Sequence, residues 1–429
     1  MANRGSRADT RLRGVPVRIL KQANAARRAA PALAMAATGA KSKALESLET
    51  RIRKASASIL RANSEDVADA KRSGRTEAFV DRLRLDPARV SSVADGVAAV
   101  CRLADPVGEF LEKRELANGA VLRKITVPLG VVLVIFESRP NVLVDSAALC
   151  LKSGNIALLK SGKESARTSR QFLGCIRGAL DDAGLPRPAV QIVDTKSHAE
   201  VHALLGLDKF IDLVVPRGSP GLIRDVVSRS RIPVVRHEQG ICHTYVDRAA
   251  DLVMAAGICF NAKCNRPGTC NAMETLLVHR EVARDFLPEM CRRYREAGVE
   301  LRGDLETRRI VRMRPATGAD WKTEYLDSII SIRVVRSLEE AIQHVREHGS
   351  AHTDAIVTTD QRAADRFLRE VDSACVMVNA STRLHDGYEF GLGAEIGIST
   401  GKLHARGPMG LRELVSYKWQ ILGSGQVRK

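Results

Sequence analysis

A chain of 429 residues predicts two domains, or three, since domains mostly contain about 100–200 residues. Its 45% hydrophobic and 27% charged residues exclude a mainly disordered chain, and no apolar run approaches the ~18 residues of a membrane helix. The net charge of +17, from 67 basic and 50 acidic residues, leaves open attraction to phosphorylated small molecules or to nucleic acid, although an aromatic content of 4% argues against base stacking.

Residues 1–29 are predicted to form a basic tail. Asp9 is the only acidic residue before residue 29, and no apolar signal core follows the basic residues. We therefore expect a solvated, partly disordered extension that belongs to neither domain. Its basic residues up to position 28 are Arg4, Arg7, Arg11, Arg13, Arg18, Lys21, Arg27 and Arg28.

Residues 30–242 are predicted to form the first domain, which begins with helices. Apolar residues recur at helical spacing from Ala30 to Gly74. Within this stretch, residues 63–66 (Asn-Ser-Glu-Asp) supply side chains that could cap a further helix. Residues 118–129 alternate loosely between polar and apolar and end at Pro128-Leu129, which predicts an extended flap.

Short apolar runs alternate with helical stretches beyond the flap. Runs without polar alternation are typical of buried parallel strands, so the pattern predicts a doubly wound α/β sheet with ligands at the carboxyl ends of its strands. The predicted strands are Val131–Phe136, Ile156–Lys160, Val190–Asp194, Ile211–Val215, Ile232–Val235 and His243–Val246, with helices over Val142–Lys152 and Ser169–Ala183. A second α/β domain is predicted over 243–398, with strands at Leu276–Val278, Ile329–Val335, Ala355–Val357 and Val376–Asn379.

Two kinds of ligand motif are missing from the sequence. No segment has the P-loop pattern, and the glycines from Gly391 do not follow a strand as a dinucleotide fingerprint requires. His237, His243 and His279 are not spaced as metal ligands, and the nine cysteines include no Cys-x-x-Cys pair. We expect no metal site, no disulfide framework and a reduced, cytoplasmic protein.

Cys270 has the surroundings of a reactive cysteine. It follows Pro267-Gly268-Thr269 within NAKCNRPGTCNAMETLLVH (261–279), just before a predicted strand. A cysteine in a glycine-containing loop can approach a ligand closely, and the loop offers backbone N–H groups to an oxyanion. The alternative is a small buried core residue, but the polar, turn-rich composition of this loop is not typical of a core.

This segment resembles the nucleophile loop of the gamma-glutamyl phosphate reductase family, within the aldehyde dehydrogenase superfamily. The likeness continues in the same order through most of the chain, from about Ser42 to the end. The similar segments are VPLGVVLVIFESRPNVLVDSAALCLKSGN (127–155), VVPRGSPGLI (214–223), GICHTYVD (240–247), TEYLDSI (323–329), GSAHTDAIVT (349–358) and VNASTRLHDGYEFGLGAEIGISTGKLHARGPMGLREL (378–414).

The resemblance implies an aldehyde dehydrogenase-like α/β fold. It would consist of a Rossmann-like cofactor domain, an α/β catalytic domain and a bridging β arm that combines the flap at 118–129 with a strand at Leu414–Leu422 inside a C-terminal segment, 399–429. An extended pair of strands without a large core of its own usually packs on a neighbour, so we expect a homo-oligomer, at least a dimer.

The activity that the resemblance implies is NADPH-dependent reduction of L-glutamyl 5-phosphate to L-glutamate 5-semialdehyde, with release of phosphate, in proline biosynthesis. Cys270 would attack the acyl phosphate and form a thioacyl intermediate. Asn141 matches the superfamily asparagine that stabilises the oxyanion, although its position alone also fits a helix cap. Glu238 is interpreted as a loop charge, because this family lacks the glutamate that activates water in other aldehyde dehydrogenases.

The resemblance also implies cofactor-binding residues in loops near predicted strands. Lys160, Ser161, Gly162 and Lys163 match the loop that holds the adenosine ribose and any 2′-phosphate. Pro216, Arg217, Gly218 and Ser219 match the loop beside the diphosphate, and Glu324 matches the glutamate that holds the nicotinamide ribose. Two lysines against the single nearby acid Glu164 favour NADPH over NADH.

Two other functions stay open at this point. One is a related acyl-CoA or aldehyde reductase with the same thiol chemistry. The other is a non-catalytic, basic relative that binds nucleic acid, against which the presence of both Cys270 and Asn141 argues.

Overall fold

The computed structural model describes residues 15–137, 139–193, 195, 197–236 and 239–428. The chain forms two compact units, the first comprising residues up to 236 with 391–397 and 409–429, and the second comprising 237–390 with 398–408. The predicted division after residue 242 therefore differs from the structure by a few residues, because the strand that begins at Cys242 pairs within the sheet of the second unit.

Five helices open the first unit. They are α1 (Val17–Ala34), α2 (Thr38–Lys54), α3 (Ser56–Arg72), α4 (Glu77–Leu83) and α5 (Pro87–Arg102). The prediction of a helical amino-terminal third is confirmed, but the prediction of a solvated tail to residue 29 is wrong from Val17 onward. Ile19, Ala23 and Ala26 lie on one face of α1 and are buried, so this helix is part of the packed unit. Residues 1–14 of the predicted tail lie outside the described residues.

The predicted capping segment at 63–66 is wrong, because these residues lie inside α3. Their side chains bond other elements instead. Asn63 donates to the carbonyl of Leu83 at 2.9 Å, and Asp66 accepts from the backbone N–H of Thr168 at 2.9 Å. These polar side chains therefore stabilise contacts between helices and do not cap a helix.

The other described elements of the first unit form two sheets and four α-helices, and one further strand of these sheets lies near the carboxyl terminus. The strands are β1 (Phe110–Glu115), β2 (Val121–Pro128), β3 (Val131–Phe136), β4 (Ile156–Lys160), β5 (Val190–Ile192) and β6 (Leu213–Arg217). The helices are α6 (Pro140–Lys152), α7 (Ala166–Asp182), α8 (His198–Leu205) and α9 (Pro220–Arg229).

A four-stranded parallel sheet forms the centre of this unit, in the order β5-β4-β3-β6. In chain order this is 3-2-1-4, the beginning of the 3-2-1-4-5-6 order of a Rossmann fold, and the order reverses between β3 and β6. The prediction of a doubly wound sheet is confirmed. The predicted strand Ile232–Val235 is reduced to a single parallel bridge between Val214 and Val234.

The second unit contains a seven-stranded parallel sheet in the order β10-β9-β11-β8-β7-β12-β13. Its strands are β7 (Cys242–Val246), β8 (Met273–His279), β9 (Glu300–Gly303), β10 (Arg314–Pro315), β11 (Ile329–Val335), β12 (Thr353–Val357) and β13 (Cys375–Val378). Its helices are α10 (Leu252–Cys264), α11 (Arg280–Glu296), α12 (Leu305–Ile310), α13 (Leu338–His348) and α14 (Gln361–Glu370). A short hairpin, β14 (Ile398–Ser399) and β15 (Gly407–Pro408), also belongs to this unit.

The predicted arm is confirmed as an antiparallel sheet. The last strand, β16 (Val415–Leu422), pairs with β2 from Val415 opposite Pro128 to Leu422 opposite Val121. On the other side, β1 pairs with β2, a strand that the sequence did not predict. Among the described residues, no helix combines the length and the apolar character needed to cross a bilayer.

Candidate active site

Cys270 lies in a tight loop that joins α10 to β8. The loop is built from local turns, in which Thr269 donates its hydroxyl to the carbonyl of Arg266 at 2.9 Å and accepts a bond from the N–H of Ala272 at 3.0 Å on its own carbonyl. Cys270 is partly exposed, whereas Cys259 on α10 is fully buried. The thiol of Cys270 is therefore available to a ligand.

Two candidate residues, Cys270 and Glu324, meet Gly240 at one edge of the second sheet. Gly240 comes just before β7, Cys270 before β8 and Glu324 before β11, and these strands are parallel neighbours. Their preceding loops therefore lie together at the amino edge of the sheet. We expected ligands at the carboxyl ends of strands, whereas the candidate residues of this unit lie at the opposite edge.

Gly240 packs directly on the backbone of Cys270. A Cβ atom at position 240 would lie 1.8 Å from the Cys270 carbonyl oxygen, which leaves room for glycine alone. The N–H of Gly240 donates to Glu324 Oε1 at 2.8 Å, and burial raises the pKa of Glu324. The structure thus links Glu324 to the cysteine loop through one glycine, an arrangement that the sequence did not reveal.

Buried polar side chains lie on the inner side of the Cys270 loop. Cys242 donates its thiol to the Cys270 carbonyl at 3.2 Å, and burial raises its pKa well above the ordinary value. The hydroxyl of Thr353 lies 2.7 Å from Nδ1 of both His352 and His385. Burial lowers the pKa of His385 to about 3, so this ring is neutral. Cys242 is therefore a buried, protonated thiol, whereas Cys270 is partly exposed.

A buried ion pair connects the two ends of the loop. Lys263 on α10 donates to Glu274 on β8 at 2.6 Å, and both side chains are fully buried. Burial raises the pKa of Glu274 to about 7 despite the opposing charge of Lys263. Loss of either partner would leave an uncompensated buried charge, which typically costs about 3–5 kcal/mol.

In the first unit, the predicted cofactor loops flank β3 at its carboxyl edge. Ile135 pairs with Lys160 on one side and with Pro216 on the other. The structure therefore brings the 160–163 and 216–219 loops to the point where the strand order reverses, which is where dinucleotides bind in open α/β sheets.

Glu164 beside the first loop has a cationic partner. It accepts from Arg75 at 2.5 Å, so its charge is compensated. The neighbouring Lys163 is exposed and has no ion-pair partner among the residues that the structure describes. Lys160 donates to the carbonyl of Ser161 at 2.8 Å. The two lysines that the sequence singled out therefore lie beside a carboxylate whose charge Arg75 compensates.

The second loop already holds a carboxylate. The N–H of Ser219, at the start of α9, donates to Glu137 at 2.8 Å, and a Cβ on Gly218 would lie 2.6 Å from the same carboxylate. Nη2 of Arg217 lies 3.9 Å from Oε1 of Glu395. Glu137 was not predicted from the sequence. Its negative charge would repel a phosphate group from the start of α9.

Asn141 lies in the first turn of α6 and does not cap it. The helix begins at Pro140, and Arg139 occupies the capping position without a side-chain bond, so the alternative of a helix cap is wrong. The amide of Asn141 donates to the half-buried carboxyl of Asp145 at 3.1 Å. Burial raises the pKa of Asp145 to about 7. Asp145, which was not predicted as a site residue, fixes the orientation of this amide.

Asn141 and the two cofactor loops belong to the first unit, and Cys270 and Glu324 belong to the second. Glu238, predicted to be a loop charge, lies outside the described residues. The part of the chain that the structure describes holds no group of three or more histidine, cysteine, aspartate or glutamate side chains that could bind a metal ion.

Comparison with known proteins finds close relatives over nearly the whole chain. The model of the aldehyde dehydrogenase family matches residues 15–308. A gamma-glutamyl phosphate reductase from Rhodopseudomonas palustris is 51% identical over 405 residues, 94% of each chain, and one from Nitrobacter winogradskyi is 50% identical over 96% of this chain and 98% of that one. The crystal structure of gamma-glutamyl phosphate reductase from Thermotoga maritima superposes with a TM-score of 0.93 at 42% identity, covering 96% of this chain and 100% of that one.

Proposed function

The chain belongs to the aldehyde dehydrogenase family, and within it to the gamma-glutamyl phosphate reductases, and on this premise we propose that it reduces L-glutamyl 5-phosphate to L-glutamate 5-semialdehyde and releases phosphate. The observation that carries the proposal is the likeness to reductases of that name along almost the full chain. The partly exposed Cys270, in a loop held from several sides, supports it.

Cys270 supplies the nucleophile in this proposal. Its thiolate attacks the acyl carbon, and the tetrahedral oxyanion then collapses as the carbon–oxygen bond breaks and its electron pair leaves on phosphate. The product is a thioester on Cys270. A bound nicotinamide cofactor would supply a hydride to the thioester carbon, after which the carbon–sulfur bond breaks and the aldehyde leaves.

Asn141 is the proposed donor to the oxyanion. Its Nδ2 carries two hydrogens, and Asp145 accepts one of them, so the other stays available for a substrate oxygen. A donor held in place before the reaction stabilises the developing charge without reorganisation. The pair therefore suits a fixed oxyanion site better than a mobile surface amide would.

NADPH is the proposed cofactor, held by the 160–163 and 216–219 loops and by Glu324. Lys160 and Lys163 suit a 2′-phosphate, and the pairing of Glu164 with Arg75 removes the nearest competing negative charge. Glu137 at Ser219 favours contact of the second loop with uncharged parts of the cofactor.

We also propose a homo-oligomer in a reducing, cytoplasmic location. Tyr417 and Trp419 on β16 are about half exposed, which suits a packing surface for a second copy. All nine cysteines are unpaired.

The test is NADPH oxidation with glutamyl phosphate generated in place by a glutamate kinase, ATP and glutamate. We expect oxidation that requires the kinase, with one phosphate released per NADPH beyond the spontaneous background. Oxidation with acetyl-CoA and none with glutamyl phosphate would support the acyl-CoA reductase alternative instead. A salt-sensitive shift on DNA without any turnover would support the nucleic-acid-binding alternative.

A further inference from the structure

Two arginines, one within the cysteine loop and one beside it, form no ion pair with a carboxylate in the described part of the chain. Arg383 follows β13 in the segment after Ser381, and its Nε donates to Asn265 Oδ1 at 3.3 Å while its Nη1 donates to Asn271. Arg266 is exposed within the loop itself. Neither arginine forms an ion pair with a described residue.

The contacts of Arg383 leave part of its guanidinium available. An arginine carries five N–H donors, and the bonds to the two asparagines use Nε and Nη1. Nη2 has no hydrogen-bond partner in the described part of the chain and is not among its buried unpaired atoms. The guanidinium is therefore held firmly on one side and open to a ligand on the other.

The electrostatic surroundings of Arg383 favour an anion. Burial lowers its pKa, Asp386 opposes this effect, and the nearby charge of Arg266 adds to it. Two like charges close together repel, so a doubly charged anion between them would relieve an unfavourable interaction. Cys270 is also among the groups close enough to influence Arg383.

We propose that Arg383, assisted by Arg266, binds the phosphate group of the acyl phosphate at Cys270, an inference that rests on the proposed function. The phosphate is bonded to the carbon that the thiol attacks, whereas the α-carboxylate of a glutamyl group lies three carbons further away. Because Arg383 bonds Asn271, the residue after Cys270, it is suited to the nearer group. A guanidinium also matches phosphate with paired hydrogen bonds and stabilises the charge that leaves with it.

The experiment is the reverse reaction, in which NADP⁺ oxidises glutamate semialdehyde in the presence of inorganic phosphate. Arg383→Gln should raise the KM for phosphate by roughly 10- to 100-fold, as expected for loss of a charged hydrogen-bonding partner, with little change in the KM for semialdehyde or NADP⁺. Arg266→Gln should raise the phosphate KM less. Arg284→Gln, which removes an exposed arginine from α11, is the matched control and should change neither value.

Binding without turnover provides a second readout if Arg383→Gln loosens the loop. Inorganic phosphate should slow alkylation of Cys270 by iodoacetamide in the wild type and in Arg284→Gln, but less in Arg266→Gln and not in Arg383→Gln. A raised semialdehyde KM with an unchanged phosphate KM would instead assign Arg383 to the substrate α-carboxylate, and unchanged values for both would overturn the proposal. Wild-type turnover that needs no phosphate would contradict the proposed function itself.

Discussion

Gly240 and Cys270 are 30 positions apart in the chain, yet their backbones touch so closely that a Cβ on Gly240 would lie 2.8 Å from the Cα of Cys270. The parallel pairing of β7 with β8 produces this contact, because it aligns the loops that precede the two strands. Glu324 fixes the same glycine through its N–H. The position of the proposed nucleophile, Cys270, therefore depends on a residue that has no side chain.

We predict that Gly240→Ala displaces the Cys270 loop. The added methyl group would meet backbone atoms, which cannot rotate away, so we expect a loss of about 1–3 kcal/mol in the free energy of unfolding and a fall in kcat of at least 10²-fold. Urea unfolding and initial rates measure the two effects. Gly257→Ala on α10 is the control, since nothing lies within 4 Å of its Cβ position, and it should keep full activity. A fully active Gly240→Ala would show that the close contact does not position the thiol.

Asn141→Ala should lower kcat by roughly 10²–10³, the usual effect of losing one oxyanion donor. The change should leave the KM for NADPH and the melting temperature close to wild type, because Asn141 caps no helix. Steady-state kinetics beside thermal melting separates the two roles. A large loss of stability with near-normal kcat would assign Asn141 to structure alone.

The raised pKa of Asp145 predicts a pH dependence of stability. Its pKa is raised to about 7 in the folded protein, so between about pH 4 and pH 7 the folded state retains a proton that the unfolded state releases. Its contribution to stability therefore decreases as the pH rises through this window. Asp145→Asn should make the urea unfolding midpoint less dependent on pH between pH 5 and pH 8. A residual pH dependence should remain from Glu274, whose pKa is also raised to about 7. The same slope in both proteins would contradict this assignment.

Cofactor preference should depend on Lys163. Lys163→Glu is expected to raise the KM for NADPH by at least 10-fold and to change the KM for NADH much less, because it places a carboxylate where we propose the 2′-phosphate to bind. Added salt should weaken NADPH binding to the wild type. Lys54→Glu, the same charge change at the end of α2, serves as the control. An unchanged preference in Lys163→Glu would mean that the 160–163 loop does not contact the 2′-phosphate.

The sequence predicted the bounds of two buried strands. β3 and β4 match short apolar runs, because a strand covered on both sides needs no polar alternation. The bounds of β11 were also predicted, although Ser331 and Arg333 interrupt its apolar residues. The sequence did not predict β9, whose residues Glu300 to Gly303 alternate between half-buried and buried at a less apolar part of the sheet. Local sequence patterns therefore identify a strand or helix where burial alone decides which residues it contains.

The residues of the candidate site also fall into those that the sequence predicted and those that it did not. Cys270 and Glu324 were recognisable from motifs, but the roles of Gly240, Asp145 and Arg383 depend on contacts with residues that only the fold determines. Glu137 is a further example, since its position between β3 and α9 is set by the pairing of β3 with β6. No spacing along the chain indicates such contacts.

Substitutions of individual cysteines test whether turnover requires the thiol of Cys270. Cys270→Ala should abolish turnover, whereas Cys259→Ala and Cys264→Ala should retain it. Cys259 is a buried core residue of α10, so its replacement should cost only about 1 kcal/mol in stability. Equal loss of turnover in all three folded variants would assign the effect to the loop and not to the thiol of Cys270.

The most direct measurement is a rapid-mixing experiment with the enzyme, glutamate semialdehyde and NADP⁺ in the absence of phosphate. If Cys270 carries the acyl group and phosphate is its acceptor, one equivalent of NADPH should form per subunit in a burst and then stop, and added phosphate should restore steady turnover. Cys270→Ala should give no burst, and Cys259→Ala should behave as the wild type. Continuous NADPH formation without phosphate would show that water accepts the acyl group, and would contradict the account of this protein as an acyl-phosphate reductase.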